Sequence, residues 1–136
     1  MRPPEDVVRE LAREWLAKAD VDLSVARALL ATDAHFDTVA FHAQQAAEKA
    51  LKAFLVWHQV EFPKTHDIKR LLVLCRHDDA ALARALAAAA ELTPYGVEYR
   101  YPGDYPPVSK EMAESGVAIA DRVVASVAES VSADRT

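Results

Sequence analysis

Phe41-His42-Ala43-Gln44-Gln45-Ala46-Ala47-Glu48-Lys49-Ala50-Leu51-Lys52-Ala53-Phe54-Leu55 is the stretch on which the fold turns. Alanine, leucine, glutamine, glutamate and lysine are strong helix formers, and neither glycine nor proline interrupts the run. Apolar residues recur at Ala40, Ala43, Ala47, Ala50, Phe54 and Trp57, a helical and not a strand period. The small ones admit a neighbouring helix, while Phe54 and Trp57 fill volume at the far end. His42, Gln44, Gln45, Glu48, Lys49 and Lys52 form a polar strip along the same helix. Periodicity alone makes that strip a solvated face carrying Glu48 and Lys52 as an i,i+4 pair. The alternative is a strip partly buried at an interface.

Upstream, Pro3-Pro4 opens a first helix, because the first turn tolerates a missing N–H. Glu5 and Asp6 sit near its positive dipole end. Val8, Leu11, Ala12, Trp15, Ala19, Leu23, Ala26 and Leu30 trace one apolar stripe through to Ala31, which predicts that Trp15, like Trp57, is largely buried. Asp20 and Asp22 resemble a paired-aspartate metal motif, but two residues apart on a helix they diverge by about 200°. Asp20 is read as solvent-facing. Thr32-Asp33-Ala34-His35 is a short break, so the first two helices form an antiparallel hairpin.

Downstream, the second helix ends near His58-Gln59, and Pro63 disfavours helix at Phe62. Thr65 is the expected N-cap of a helix from His66 to about Arg76, with Ile68, Leu71, Leu72 and Cys75 on its apolar face. His66 is weighed as a residue holding the Pro63–Thr65 loop against a base near neutral pH, and the first reading is preferred. Asp78 or Asp79 restarts a helix through the alanine-rich run to Glu91. Residues 93–108 hold four of the seven prolines, two of the three glycines and all four tyrosines, and read as one long loop. Ser109 caps a last helix running to about Val131. The chain is therefore expected to be one all-α domain over residues 1–131, an antiparallel up-and-down bundle of four to five helices, with 132–136 a frayed tail.

Composition narrows the function. With 51% hydrophobic and 27% charged residues, the chain is globular in character rather than disordered. A net charge of −5 argues against a broadly basic nucleic-acid surface but permits a local positive cleft. Cys75 is the single cysteine, so neither an internal disulfide nor a cysteine-based zinc site can form. No apolar run is long enough for a membrane span or a signal core, which makes the cytoplasm the default compartment. Phosphate-cradling glycine loops, HExxH metal sites and nucleophile elbows are missing from the sequence, so neither a metal nor a cofactor is expected.

The richest local candidate is Tyr95-Gly96-Val97-Glu98-Tyr99-Arg100-Tyr101-Pro102-Gly103-Asp104-Tyr105. An arginine among tyrosines can grip a phosphate bidentately while rings stack a base. Equally, the tyrosines can be amphipathic packers and Arg100 a clamp on Asp104 or Glu48. Gln45, Glu48, Lys49 and Lys52, with Tyr99, Arg100, Tyr101 and Asp104, are the ligand-binding candidates.

The string Phe41 to Lys52 resembles the second-helix signature of the HEPN family, small all-helical nucleotide-binding domains. Trp15, Ala19, Asp22-Leu23, Ala26 and Leu29-Leu30 resemble its first helix, Thr65-His66-Asp67-Ile68 with Leu71-Leu72 its third, and Arg100-Tyr101-Pro102 part of its last long loop. The resemblance implies a homodimer. HEPN ribonucleases use an arginine followed four to six residues later by histidine, without metal. Here no histidine follows His77, so that pair is missing, and only His42 or His66 could stand in with Arg100. What the resemblance implies is thus a homodimeric nucleotide- or RNA-associated module, partnering a separate minimal nucleotidyltransferase in a toxin–antitoxin-like pair. Such a transferase could use Tyr101 or Tyr105 as an acceptor. The alternative is a metal-independent HEPN endoribonuclease with a displaced histidine.

Overall fold

Helix α1 spans Glu5–Ala31 and α2 spans Phe36–Trp57 in a computed structural model that describes residues 4–97 and 106–133. Between them the chain reverses within four residues. Asp33 and His35 supply the reversal by taking left-handed backbone angles, φ 59° and 57°, which Asp and His tolerate better than most side chains. Alanines then set how the two helices meet. Ala12, Ala19 and Ala26, seven residues apart on α1, are fully buried, as are Ala40, Ala43, Ala46, Ala47, Ala50 and Ala53 on α2. Without bulky ridges the two surfaces can approach closely. Phe54, Leu51 and Leu55 fill the lower end.

A Schellman motif ends α2. Val60 N donates to Leu55 O at 2.9 Å, Gln59 N donates to Val56 O at 3.0 Å, and Gln59 itself is left-handed at φ 56°. The chain then climbs back along α2, bringing Phe62 against Trp15 and His66 against Glu48. Helix α3, Ile68–Arg76, descends again until Asp78 lies 4.0 Å from His58. Its start is two residues later than the sequence suggests. Asp67, not Thr65, is the N-cap, accepting from Lys69 N at 3.1 Å, while Thr65 Oγ1 accepts from Asp67 N.

The alanine-rich segment is not one helix. It is α4 (Ala80–Ala85), capped by Asp79, followed by a 3₁₀ segment Ala87–Leu92 and a short α5 at Thr93–Val97. The expected long loop therefore begins later than residue 93. Buried Leu86, Ala89 and Leu92 recur every three residues, the repeat of a 3₁₀ turn, so tertiary packing selects the tighter winding over alanine's α preference.

Helix α6, Lys110–Ala133, completes the frame, with Ser109 Oγ accepting from Met112 N as expected. Its start is held beside the α1–α2 turn, where Asp37 accepts from Val108 N at 3.2 Å and Lys110 pairs with Asp33. Arg27 of α1 pairs with Asp121 further along. These contacts make α6 antiparallel to α1 and parallel to α2, so the long helices pack as an up-and-down bundle whose third leg is folded from α3 to α5. The described residues include no strand, and none of their helices is long and apolar enough to cross a membrane. Trp15 and Trp57 are mostly buried, as expected, but neither is sealed off. Both pack against the edge of the core, the latter with the Arg9 guanidinium 5.5 Å above its ring.

Candidate functional site

The polar strip of α2 is not a solvated face. Gln44, Glu48 and Lys52, spaced i, i+4, i+8, are buried at 0%, 3% and 8% exposure. His42, Gln45 and Lys49 beside them are half-buried. On an ideal helix the six residues fan over roughly 160°, too wide an arc for one neighbour to cover. α1 covers one edge of the fan, and the His66 segment with α5 covers the other.

Glu48 is the hub of the deeper cluster. Its Oε1 accepts from Gln44 Nε2 at 3.0 Å and from His66 Nδ1 at 2.8 Å, and its Oε2 pairs with Lys52 Nζ at 2.9 Å. Burial alone would push the Glu48 carboxyl up. Hydrogen bonds from Gln44, Lys52 and His66, with the charge of Lys52, outweigh it and hold the group below its ordinary value. Gln44 Nε2 also reaches His66 O at 3.3 Å, and Gln45 Nε2 donates to Gln44 Oε1 at 2.7 Å. Gly96 of α5 makes room for this. A Cβ there would lie 2.6 Å from Gln44 Cδ, so only glycine lets the backbone come this close. The Lys52 ammonium lies 5.6 Å from the Trp15 ring centroid and 5.9 Å from that of Phe62, which bury its stem.

The shallower cluster centres on Asp22 of α1, buried at 7% exposure. Its Oδ1 meets His42 Nδ1 at 2.8 Å and its Oδ2 meets Lys49 Nζ at 2.6 Å. Sequence reasoning did not single Asp22 out as a site residue. The signal was its position, a carboxylate set into an apolar stripe between Ala19 and Ala26, where burial demands partners. Asp20 is exposed, as expected.

Two carboxylate–imidazole pairs result, Asp22–His42 and Glu48–His66. An ionised carboxylate only accepts, so each ring donates from Nδ1 and presents Nε2 on its other side. The His66 side chain is 58% exposed and that of His42 26%. His66 was expected to hold its own loop; it instead caps a buried glutamate from α2. Charges within the two clusters cancel, Asp22 and Glu48 against Lys49 and Lys52. Every buried side-chain nitrogen and oxygen among the described residues has a partner. The arrangement can orient imidazoles and present Gln45 and Lys49, but carries no surplus positive charge for a phosphate. Arg100, Tyr99, Tyr101, Asp104 and Tyr105, the candidates of the tyrosine loop, lie outside the described residues.

Two concavities have opposite signs. One of about 530 Å³, at the far end of α2, is lined by His58, Asp78, Asp79 and Glu129 and would repel a phosphate. The other, about 370 Å³ on α3 and α4, has an apolar floor of Leu72 and Val73 rimmed by Lys69, Arg76 and Arg84. It is a local basic groove on an acidic chain, and the scatter of its three cations over sixteen residues hid it from the sequence.

Residues 12–131 match a family model described as the HEPN domain. Among solved structures, TT1696 from Thermus thermophilus is 30% identical with a TM-score of 0.72, over 87% of this chain and 96% of that one. ST0689, an archaeal HEPN homologue, is 25% identical with a TM-score of 0.70, over 88% of this chain and 97% of the other. A search of curated proteins finds no match.

Proposed function

This chain belongs to the HEPN domain family, and from that premise we propose that it is a homodimeric nucleotide- or RNA-associated module working beside a separate minimal nucleotidyltransferase, in a toxin–antitoxin-like pair. The observation that carries binding over cleavage is in the sequence. No histidine follows His77, so Arg100 has none at the spacing that HEPN ribonucleases use. The charge-balanced clusters on α2 support the same reading, because they are built to hold side chains still rather than to gather a phosphate. The basic rim of Lys69, Arg76 and Arg84 supports association with an anionic polymer.

The test is a binding and cleavage assay on short RNAs in chelator, with purified protein. Retention without turnover is the expected result. Arg100→Ala should weaken it, each charge-assisted hydrogen bond being worth roughly 1.5–3 kcal/mol, while leaving the melting temperature in place. With a separate minimal nucleotidyltransferase and ATP added, mass spectrometry should find a nucleotide adduct on Tyr101 or Tyr105; an unmodified chain counts against the partnership.

One observation favours a second reading, the metal-independent endoribonuclease with a displaced histidine. Asp22–His42 and Glu48–His66 each hold an imidazole in the tautomer that leaves Nε2 as a base. RNA turnover in chelator, lost in His42→Ala or His66→Ala and in Arg100→Ala, would establish it and remove the binding-only reading.

A further inference from the structure

Helix α1 carries a second stripe, rotated away from the one it buries. Val7, Leu11, Glu14, Lys18, Val21, Val25 and Ala28 recur at alternating steps of four and three, the spacing of a helix–helix seam. Val7, Leu11 and Val21 are 48%, 45% and 63% exposed, three of the four large hydrophobic residues most open to solvent among those described, so Leu11 leaves the buried stripe to which its spacing assigned it. Glu14 and Lys18 are exposed and Val25 half-buried. Arg27, which meets α6 through Asp121, projects about 200° from the middle of this stripe, so α6 lies on the other side.

The residue types along the stripe repeat in reverse. Counted outward from Leu16, Glu14 mirrors Lys18, Leu11 mirrors Val21, and Val7 mirrors Val25. The four-three spacing makes the positions symmetric by itself. It does not require the chemistry to match, yet each apolar residue mirrors an apolar one and the acid mirrors the base. Such a stripe is self-complementary under a two-fold operation, the condition an isologous interface must meet. A parallel pairing would instead set Glu14 against Glu14 and Lys18 against Lys18. Glu14 and Lys18 form no ion pair with other described residues of their own chain.

We propose that this stripe docks a second copy of the chain, α1 against α1 in antiparallel register, about a two-fold axis that crosses the stripe at the height of residue 16, on the face opposite the Leu16 side chain. The inference rests on the homodimer reading above and names its surface. Each Glu14 then meets the other copy's Lys18, flanked by layers of Leu11 with Val21 and of Val7 with Val25. Asp22 borders the stripe, about 60° round α1 from its centre. The two-fold carries one Asp22–His42–Lys49 cluster to the same face of the pair as the other, about 18 Å away along the helix axis.

Charge reversal and cross-linking of the full chain test the register. In sedimentation equilibrium the wild type is a dimer; Glu14→Lys and Lys18→Glu each weaken association by at least about tenfold, since symmetry repeats the repulsion. The double variant Glu14→Lys with Lys18→Glu recovers the wild-type constant, with helical circular dichroism unchanged throughout. Under mild oxidation Leu11→Cys with Val21→Cys forms a covalent dimer, whereas Leu11→Cys alone does not. Positions 11 and 21 of one chain are about 15 Å apart along the helix and cannot bridge internally, and the native Cys75 is fully buried. A wild-type dimer indifferent to both reversals, or Leu11→Cys cross-linking as readily as the pair, overturns this surface and leaves the homodimer standing. A monomeric wild type overturns both.

Discussion

Removing Glu48 is the sharpest perturbation the structure offers. Glu48→Ala takes away the acceptor of three side chains, and their fates differ. His66 is largely exposed and turns to water. Gln44 keeps His66 O as a partner. Lys52 has no such exit, because its side chain is 10% exposed and enclosed by Trp15 and Phe62. An uncompensated buried cation costs about 3–5 kcal/mol, and the two ring faces left to it put the expected loss at the lower end, about 3 kcal/mol. Urea denaturation followed by circular dichroism and by the fluorescence of Trp15 and Trp57 measures it. Replacing both partners, Glu48→Met with Lys52→Met, should recover most of the loss, because the charge then disappears with its counter-charge. The pH dependence gives an independent check. The folded Glu48 carboxyl lies below its ordinary 4.5, so its contribution is fully present above that value and is lost as pH falls through the folded one. Wild-type stability should drop over that acid window, and the double variant should drop less. A Glu48→Ala loss under about 1 kcal/mol, or equal acid slopes in the two proteins, would refute the hub assignment.

Gly96→Ala should cost about 1–3 kcal/mol by forcing Gln44 off its partners, seen as a lower urea midpoint; no change would mean α5 can retreat. Trp15→Ala should cost about 3 kcal/mol, the low end of the range for a buried tryptophan, because the ring packs against the edge of the core and keeps some exposure. Gln59→Gly should stabilise by about 1 kcal/mol, since the left-handed C′ position of the Schellman motif is where glycine removes a Cβ penalty. Burial pushes the Cys75 thiol up to about 12, so a thiol reagent at pH 8 should find no reactive group until denaturant is added.

The frame of the molecule was legible because its causes are local. Helix-forming runs, Ser109, Asp79 and the break at 32–35 each act through near neighbours in sequence. The polar strip was misread for the opposite reason. Glu48 and Lys52 do form the i,i+4 pair that spacing suggests, but their burial comes from Trp15, Phe62 and His66, brought in by distant segments. Periodicity along α2 holds no record of those. The alanine-rich run failed similarly, since propensity favours one α-helix and packing of Leu86, Ala89 and Leu92 imposes three-residue steps. Asp22 could have been found by asking what a carboxylate does inside an apolar stripe. The basic groove could not, because Arg84 joins Lys69 and Arg76 only where α4 packs against α3.

The buried alanines of α2 also bear on how this sequence can drift over evolutionary time. At Ala40, Ala43, Ala46, Ala47, Ala50 and Ala53, all fully buried, a larger residue meets α1 or another packed neighbour and costs about 1–3 kcal/mol. A glycine forfeits about 1 kcal/mol of helix propensity. Substitution is penalised in both directions. Cores of leucine and isoleucine can exchange volume between neighbours, but a side chain of one methyl has none to give. Divergence in this chain should therefore collect outside the α1–α2 contact, leaving a helix whose small residues change slowly for reasons of space rather than chemistry.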